Sequence, residues 1–263
     1  MASMTEWTEA QQDAVDKAAA WLACARRVLA ITGAGMSAES GLPTYRGVGG
    51  LYEEADGEDG LPIEVALSGE RFAAESWRTW RHLRQIESAC RGARPHAGHH
   101  VLAAWQDRFE LTVLTQNIDG FHGAAGSRQL IEMHGNMHRL VCTVCAWSQT
   151  VDHYGELADD SPCCPDCAAV IRPAVVLFGE MLPTAALEQY DQVMASRPDV
   201  VLSIGTTSVF PYIAAPVHWC RQWGGRSIEI NPSRTEVSDA VDVCIRAPAA
   251  KVLQALDAAL TPG

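Results

Sequence analysis

The sequence predicts an α/β fold, a parallel sheet covered by helices on both faces. Short apolar runs typical of buried strands alternate with longer stretches whose apolar residues recur at helical spacing, and this alternation is typical of a parallel sheet. The apolar runs end in glycine or small polar residues, as a ligand site at the carboxyl edge of such a sheet requires. Two Cys-x-x-Cys pairs near the middle of the chain predict a small additional module that binds metal.

The individual elements are predicted from the same patterns, in chain order. Helices are predicted over residues 8–27, 70–91, a segment after Pro95, and 249–260. Strands are predicted over residues 28–32, 111–114, 130–133, 199–204, 227–230 and 242–245. Residues 172–180 are predicted to resume the main fold as an extended run. Residues 47–60 hold five glycines and five acidic residues, which predicts a solvated loop, or a flap that orders when a cofactor binds.

Composition limits the classes of function that the chain can have. It has 263 residues, 48% of them hydrophobic, and a formal net charge of −12. This balance argues against a broad basic face for nucleic acid and suits a positively charged partner, such as a lysine-rich protein segment. No apolar run reaches the roughly 18 residues of a membrane span, and the N-terminus lacks the pattern of a secretion signal. We therefore expect no nucleic-acid or membrane partner and a cytoplasmic location.

A glycine turn follows the first predicted strand. Gly33 and Gly35 let the backbone turn tightly and approach a ligand closely, and the small residues 37–41 then open a helix. Because unpaired N–H groups point outward at a helix N-terminus, such a turn can hold a diphosphate. An ordinary turn is the alternative. A hydride-transferring dehydrogenase is disfavoured, since the turn does not match G-x-G-x-x-G.

Polar residues also end the later strands. Gln116, Asn117 and Asp119 follow residues 111–114, and His134 follows residues 130–133, with a glycine directly after it. Polar groups next to buried strands need partners, which a structural turn or a bound ribose or carboxamide would supply. The strands at 199–204 and 227–230 end likewise, in Gly205-Thr206-Thr207 and in Asn231.

The two cysteine pairs predict one structural zinc. Cys142 and Cys145 are separated by 18 residues from Cys164 and Cys167, a spacing typical of a tetrahedral four-thiolate Zn²⁺ site. Such a site is closed and has no open position for catalysis. Cys163 lies beside the second pair but falls outside the matching spacing. A redox role for the cysteines is the alternative, which the presence of two copies weakens.

Four ordered motifs together resemble the sirtuin family, of the bacterial type. They are GAGMSAESGLPTYR from Gly33, TQNID from Thr115, MHG from Met133 and the paired cysteines. Sirtuins are NAD-dependent protein-lysine deacylases, which transfer the acyl group to ADP-ribose and release nicotinamide. The resemblance implies a Rossmann-like NAD-binding domain over residues 1–46, 95–139 and 173–263. It also implies a small domain over residues 47–94 and 140–172.

The resemblance implies roles for individual residues. His134 and Asn117 are implied as catalytic, with His134 as general base toward a ribose hydroxyl. Cofactor contacts are implied for Gly33, Ala34, Gly35, Ser37, Ala38, Glu39, Thr44, Tyr45, Arg46, Tyr52, Gln116, Asn117, Ile118, Asp119, Gly205, Thr206, Thr207, Asn231 and Ala249. Contacts with an acyl-lysine protein substrate are implied for Trp80 and Leu83 and, through β-augmentation, for Val176, Phe178, Gly179 and Glu180.

Two departures from the family pattern bear on specificity. Tyr45 stands where the family usually has phenylalanine. Some sirtuins that remove acidic acyl groups carry a Tyr-x-x-Arg pair in the helix after the acidic loop, and the best register puts Trp80 and Leu83 there. An unpaired buried carboxylate is costly, so neutral acyl groups, acetyl above all, are expected. Arg84, next to Leu83, and the glycines at 47–50 leave a desuccinylase open.

Two further functions fit parts of the pattern. A protein mono-ADP-ribosyltransferase would use the same fold and the same cofactor. A zinc ribbon that binds nucleic acid would use the cysteine pairs alone, and the acidic balance of the chain disfavours it.

Overall fold

The computed structural model describes residues 7–42, 61–157 and 160–261. Its strands fall into two sheets, one parallel and one antiparallel. In chain order they are β1 (Arg27–Thr32), β2 (Glu110–Thr115), β3 (Leu130–Glu132), β4 (Gly135–Cys142), β5 (Ser148–Thr150), β6 (Ile171–Val175), β7 (Val200–Ile204), β8 (Arg226–Ile230) and β9 (Val243–Ile245).

The larger sheet has six strands in the order β3-β2-β1-β7-β8-β9, and every pairing is parallel. The chain moves outward from β1 in one direction and then crosses to β7 and continues in the other. The strand order therefore reverses at β1, and in open parallel sheets a ligand crevice forms outside the carboxyl ends of the strands at such a point. Residue 32 ends β1, so the glycine turn after it opens onto this crevice.

Helices cover both faces of this sheet. In chain order the described helices are α1 (Glu9–Ala23), α2 (Ala34–Ser37), α3 (Ile63–Ala66), α4 (Gly69–Cys90), α5 (Ala97–Trp105), α6 (Phe121–Ala124), α7 (Thr184–Ser196), α8 (Pro211–Cys220) and α9 (Ala249–Leu260). Short 3-10 turns follow α2 and α8. The predicted α/β fold with helices on both faces is confirmed.

Alternate residues of β1 point into two separate cores, because successive side chains of a strand face opposite sides of the sheet. Val28 and Ala30 pack in a cluster with apolar residues of α1, α5 and α9. Leu29 and Ile31 pack in another with residues of α7 and α8. All four side chains are buried. A run of consecutive apolar residues in β1 is therefore required, as in any strand covered on both faces.

The helix ends follow local capping chemistry. Thr8 and Gln11 form a reciprocal capping box at the start of α1, and Ser68 accepts the amide hydrogen of Arg71 at the start of α4. Such caps satisfy amide groups that have no partner inside the helix. The helix predicted over residues 70–91 is interrupted, because Glu75 has non-helical dihedral angles (φ −145°, ψ 67°) that mark a kink.

The smaller sheet has the order β5-β4-β6 and is antiparallel. It packs against α4 around buried residues that include Phe72, Trp80 and Leu140. The prediction that residues 172–180 resume the main fold is wrong for the strand itself, since Ile171–Val175 pairs with β4 in this small sheet. Apolar content identifies a strand but not the sheet that receives it. The predicted domain boundaries stay a prediction.

Within the described ranges, no helix is both long enough and apolar enough to cross a membrane.

Candidate active site

Two glycine turns interlock at the carboxyl edge of the parallel sheet. Gly33 donates its amide hydrogen to Ile204 (3.1 Å), and Gly35 donates to Gly205 (2.8 Å). A Cβ on Gly35 would lie 2.8 Å from the Gly205 Cα, closer than two such atoms approach. Gly205 itself has φ +58°, in the left-handed region that favours glycine. The glycines thus permit backbone-to-backbone packing of two turns, and the amides of Gly33 and Gly35 are already bonded within the chain.

A polar network extends from these turns to the end of β2. Asn117 donates to the Gly33 carbonyl (3.0 Å) and to the Ser37 hydroxyl (3.1 Å). The Ser37 hydroxyl donates to Asp119 (2.7 Å), and Gln116 donates to the Thr206 hydroxyl (2.8 Å). Residues from three strand ends are therefore joined by direct hydrogen bonds. The network fixes these side chains around one crevice, as a binding site for a large polar ligand needs.

Asp119 is the buried carboxyl of this network. Burial raises its pKa, because a charged carboxylate loses hydration inside the protein. Hydrogen bonds from the Phe121 amide and the Ser37 hydroxyl act in the opposite direction without cancelling the rise. A buried acidic group with a raised pKa is typical of functional sites.

The floor under the network is uncharged. Thr32 and Thr115, at the ends of paired strands, share a hydrogen bond (2.9 Å), and the Thr32 hydroxyl lies 2.9 Å from the His122 Nε2. Burial lowers the pKa of His122 to about 4 and that of His99 to about 2. The two rings are 4.9 Å apart, and both stay neutral near pH 7. The crevice therefore has a low-dielectric base, which strengthens electrostatic interactions above it.

Glu39 and Asn231 tie further segments to the crevice. The Glu39 carboxylate accepts the amide hydrogen of Ala250 (2.6 Å) at the start of α9, where no side chain at the capping position serves. An anion is favoured at a helix N-terminus. Asn231 donates to the Thr206 carbonyl (3.1 Å) and thereby joins the ends of β7 and β8.

His134 lies between β3 and β4 and is partly buried. Its Nε2 is 2.6 Å from the Tyr212 hydroxyl, and the Phe210 ring packs edge-on against it with centroids 5.8 Å apart. Burial lowers the pKa of His134, and a hydrogen bond with the Gln116 backbone opposes part of that effect. The ring is therefore neutral near pH 7 and able to accept a proton.

The segment after β6 joins His134 to the small module. Val176 donates its amide hydrogen to the His134 carbonyl (2.9 Å), Phe178 donates to Leu67 (2.9 Å), and Gly69 donates to Phe178 (3.0 Å). Glu180 is held by Arg172 at 2.5 Å, and this pairing lowers the pKa of Glu180 despite its partial burial. A surface groove runs along this segment, lined by Glu64, Ser68, Gly69, Glu70, Phe178, Gly179 and Glu180.

Four cysteines converge in the small module. The sulfur atoms of Cys142, Cys145, Cys164 and Cys167 all lie within 4.8 Å of one another. The sulfur atoms of Cys142 and Cys167 are 3.4 Å apart, and those of Cys145 and Cys164 are 3.6 Å apart, near the spacing of thiolates around a single zinc with bonds of about 2.3 Å. The donor set therefore fits a closed, structural Zn²⁺ site. Cys163 is exposed and faces the Ser161 carbonyl, in agreement with leaving it out.

Comparison with known proteins identifies the family. The family model for the Sir2 family matches residues 33–211. NAD-dependent protein deacylase 2 of Pseudomonas syringae pv. tomato is 47% identical over 245 residues, covering 91% of this chain and 98% of that protein. The protein of the same name from Pseudomonas aeruginosa is 48% identical over 225 residues, covering 83% and 86%.

The chain belongs to the Sir2 family.

Solved structures agree with this assignment. A Sir2 homologue in complex with NAD superposes with a TM-score of 0.83 at 32% identity, covering 93% of each chain. A Sir2 complex with a p53 peptide and NAD⁺ superposes with a TM-score of 0.75 at 27% identity, covering 95% and 96%. The predicted family resemblance is confirmed, and the fold is that of Sir2 proteins.

In this Sir2 fold, most of the predicted cofactor residues come together. Nine of them are joined by the hydrogen bonds and backbone contacts described above around the crevice: Gly33, Gly35, Ser37, Gln116, Asn117, Asp119, Gly205, Thr206 and Asn231. Ala34 begins α2, Ala38 and Glu39 follow it, and Ala249 begins α9. Ile118 packs against the small-module core, and Thr207 accepts the Glu236 amide hydrogen through its carbonyl. Thr44, Tyr45, Arg46 and Tyr52 lie outside the described residues. The roles of all these residues stay predictions.

Trp80 and Leu83, the predicted acyl-pocket residues, lie in the core of the small module. Trp80 is fully buried, and Leu83 is 4% exposed. The Trp80 indole N–H donates to the Ile171 carbonyl (2.9 Å). Arg84 donates to the Tyr154 carbonyl (2.9 Å) and lies over the Trp80 ring. Both predicted residues hold α4 against the small sheet here, and a substrate role for them stays a prediction.

Sequence reasoning missed Tyr212 and Phe210. Both follow the β7 turn, and their rings stack with centroids 5.6 Å apart. An aromatic pair at the start of a helix usually indicates core packing, so the sequence carried no signal for their contact with a histidine 78 residues away.

Proposed function

We propose that this protein is an NAD-dependent protein deacylase that removes acyl groups from lysine side chains. NAD supplies the ADP-ribose that receives the acyl group, and nicotinamide leaves. The observation that carries the proposal is the neutral, partly buried His134 ring beside the crevice of interlocked turns, in a chain whose curated relatives are named NAD-dependent protein deacylases.

Different residues are proposed to orient the cofactor and to transfer the proton. Asn117, Ser37 and Asp119 are bonded to one another and orient polar groups of the cofactor at the crevice. The uncharged floor under them excludes water from the reacting atoms, which keeps the electrostatic interactions there strong. His134 accepts a proton from a ribose hydroxyl after nicotinamide leaves. A general base of this kind contributes about a hundredfold to ten-thousandfold in rate.

The protein substrate is proposed to lie along the groove between α4 and the segment 176–180. Acidic side chains of Glu64 and Glu70 line the groove together with Glu180, which is paired with Arg172, and the chain carries a net charge of −12. A peptide that brings lysine or arginine near its acylated lysine is complementary to such a surface. A Sir2 complex with a p53 peptide is among the similar structures, which supports a peptide segment as the substrate.

Neutral acyl groups are the proposed preference, acetyl above all. A succinyl group brings a carboxylate, which needs a cation and a hydrogen-bond donor at the end of the acyl pocket. Trp80 and its N–H are engaged in the module core, and the Arg84 guanidinium lies on the Trp80 ring and bonds Tyr154. Both side chains are engaged within the small module in this arrangement, which favours deacetylation over desuccinylation.

The experiment is mass spectrometry of the products formed with NAD from matched acetyl-, succinyl- and longer acyl-lysine peptides. We expect acyl-ADP-ribose and free lysine peptide, with kcat/KM highest for a neutral acyl group. Succinyl ahead by about tenfold, or about 1.4 kcal/mol in transition-state binding, would contradict the acyl preference alone. Label transferred from NAD to protein, without acyl-ADP-ribose, would contradict deacylation and favour a mono-ADP-ribosyltransferase. The cytoplasmic location and the lack of a nucleic-acid partner stay predictions from the sequence.

A further inference from the structure

Tyr212 makes the side-chain contact at the Nε2 of His134. Its hydroxyl oxygen lies 2.6 Å from that nitrogen, a short distance even for hydrogen bonds of hydroxyl groups. Tyr212 is the second residue of α8, and Pro211 occupies the first helical position before it, where its fixed φ favours the start of a helix. The tyrosine is therefore carried by a rigid element that begins next to the turn of Gly205.

The Tyr212 ring is held in place by its neighbours. Phe210 stacks on it at an interplanar angle of 17°, and the His134 ring meets both rings edge-on, at 84° and 82°. Offset stacks and edge-to-face contacts are the favourable arrangements of aromatic pairs. Burial raises the pKa of Tyr212 to about 12, so its hydroxyl keeps its proton across the working range of the enzyme.

The Nε2 atom of His134 is occupied by the Tyr212 hydroxyl, and the other ring nitrogen faces away from it. The hydrogen bond with the Gln116 backbone raises the pKa of His134, which means that a ring N–H donates to the backbone there. Since Nε2 faces Tyr212, this N–H is assigned to Nδ1. The neutral ring then has a single lone pair, on Nε2, and the Tyr212 hydroxyl hydrogen points at it. A proton that is transferred to Nε2 of His134 must therefore pass through the Tyr212 hydroxyl.

We propose that Tyr212 is a proton relay between the substrate hydroxyl and His134. The substrate O–H gives its proton to the Tyr212 oxygen while the Tyr212 O–H proton passes to Nε2. The substrate O–H bond breaks and its electron pair stays on the substrate oxygen, which becomes the nucleophile toward the acyl carbon. One O–H bond forms on tyrosine, and the original tyrosine O–H is exchanged for an N–H on His134. Tyrosine ends neutral and the imidazole ends as imidazolium. The inference rests on the proposed role of His134 as general base.

Other titratable groups around the ring are engaged elsewhere. Glu132, two residues before His134, accepts a hydrogen bond from Asn136 (2.7 Å), and Asp119 accepts from Ser37. From α8 and the β7 turn, Tyr212 is the titratable group in contact with the ring. Among the described residues, no carboxylate or cation contributes to the shift in the His134 pKa. We therefore expect the acid limb of the kcat/KM profile to follow the pKa of His134, and we expect Tyr212 to change that pKa.

The test compares Tyr212→Phe with Tyr190→Phe in the full-length protein. Tyr190 is a matched control, because its hydroxyl is buried on α7 with no hydrogen-bond partner among the described residues. Two products are followed in single-turnover experiments with acetyl-lysine peptide: nicotinamide, which leaves before His134 acts, and acyl-ADP-ribose, which forms after it.

We expect Tyr212→Phe to slow acyl-ADP-ribose formation by about a hundredfold while nicotinamide release stays within about threefold. KM for NAD should change little. Since the lost O–H donor favoured the neutral ring, the acid limb of kcat/KM should move up by about half a pH unit to one unit. His134→Ala combined with Tyr212→Phe should be no slower than His134→Ala alone, because the two act as one unit.

The outcomes separate the relay from the function on which it rests. Acyl transfer by Tyr212→Phe at the rate of Tyr190→Phe, with His134→Ala inactive, would overturn the relay and leave the base assignment intact. Equal loss of nicotinamide release and acyl transfer would assign Tyr212 a packing role and also overturn it. Normal turnover by His134→Ala would refute the proposed role of His134 itself.

Discussion

At the scale of single residues, the crevice holds groups in states that folding alone would not favour. Asp119 is a carboxyl with a raised pKa, and His99 and His122 are buried with one ring nitrogen each that has no partner among the described residues. Unsatisfied buried polar atoms are destabilising. These groups lie together near the ends of the strands. Their arrangement indicates that local folding stability is lower there in exchange for ligand binding, as is common at active sites.

The pH dependence of stability should reveal Asp119. Its native pKa lies above the unfolded value, so the native state binds the proton more tightly and stability falls as pH rises between the unfolded and the native pKa. In Asp119→Asn, the free energy of unfolding should not show this decrease with rising pH. The variant should also bind NAD more weakly, since Asn cannot accept both hydrogen bonds as a carboxylate does. The measurement is the free energy of unfolding from pH 3.5 upward by chemical denaturation, with NAD affinity by calorimetry. Identical pH slopes for both proteins would contradict the assignment.

At the scale of elements, the site is assembled by contacts between strand ends rather than within any one loop. The turn after β1 packs on the turn after β7 through Gly35 and Gly205, and Glu39 reaches the start of α9. A tight glycine turn is usually explained by a ligand that needs room. Here the close packing of the two turns already leaves no room for a side chain at Gly35, whether or not a ligand is bound.

Gly35→Ala should therefore destabilise the protein even without cofactor. Its Cβ would lie 2.8 Å and 2.9 Å from backbone atoms of Gly205, which cannot rotate away, and overpacking of this kind costs about 1–3 kcal/mol. Gly123→Ala is the control, because its Cβ would meet a single side-chain atom at 3.9 Å and lies in helix α6. That change should be neutral or stabilise by about 0.4–1 kcal/mol. Equal thermal midpoints for both variants in the absence of NAD would refute this account of the turn.

At the scale of the whole molecule, two modules with different sources of stability meet at the active site. The parallel sheet is stabilised by two apolar cores on its faces. The small module has its own apolar cluster and a four-cysteine cage, and the segment from β6 through residue 180 connects it to His134. Order in the small module is thus coupled to the groove lined by Phe178, Gly179 and Glu180.

Loss of the zinc site should affect the small module first. Cys164→Ser removes one thiolate of four, and structural zinc contributes directly to folding free energy, so bound zinc should fall from one per chain to none with a lower unfolding temperature. Peptide KM should rise more than NAD affinity falls, because the groove borders the module. Cys163→Ser is the matched control, since Cys163 is adjacent but outside the cage. Full stability of Cys164→Ser without zinc would contradict the structural role.

The sequence by itself determined the strands of the parallel sheet, the cysteine cage and the family, whereas its patterns did not predict β4, β5, α7 or α8. Apolar runs predicted all six strands of the parallel sheet within about two residues, because a strand buried on both faces must be continuously apolar. The spacing of Cys142, Cys145, Cys164 and Cys167 predicted the cage, since two knuckles at fixed spacing suit one tetrahedral ion. Both signals are short-range and can be read along the chain.

Only the tertiary structure decided which segments meet. It assigned Ile171–Val175 to the small sheet, buried Trp80 against Ile171, and brought Tyr212 to His134 across 78 residues of sequence. It likewise brought Glu39 to the start of α9, 211 residues away. The periodicity of apolar residues predicts how much of a segment is buried, but it does not predict which other segment packs against it. That depends on the path of the chain between the two segments. The groups that tune His134 therefore became visible only after the fold was complete.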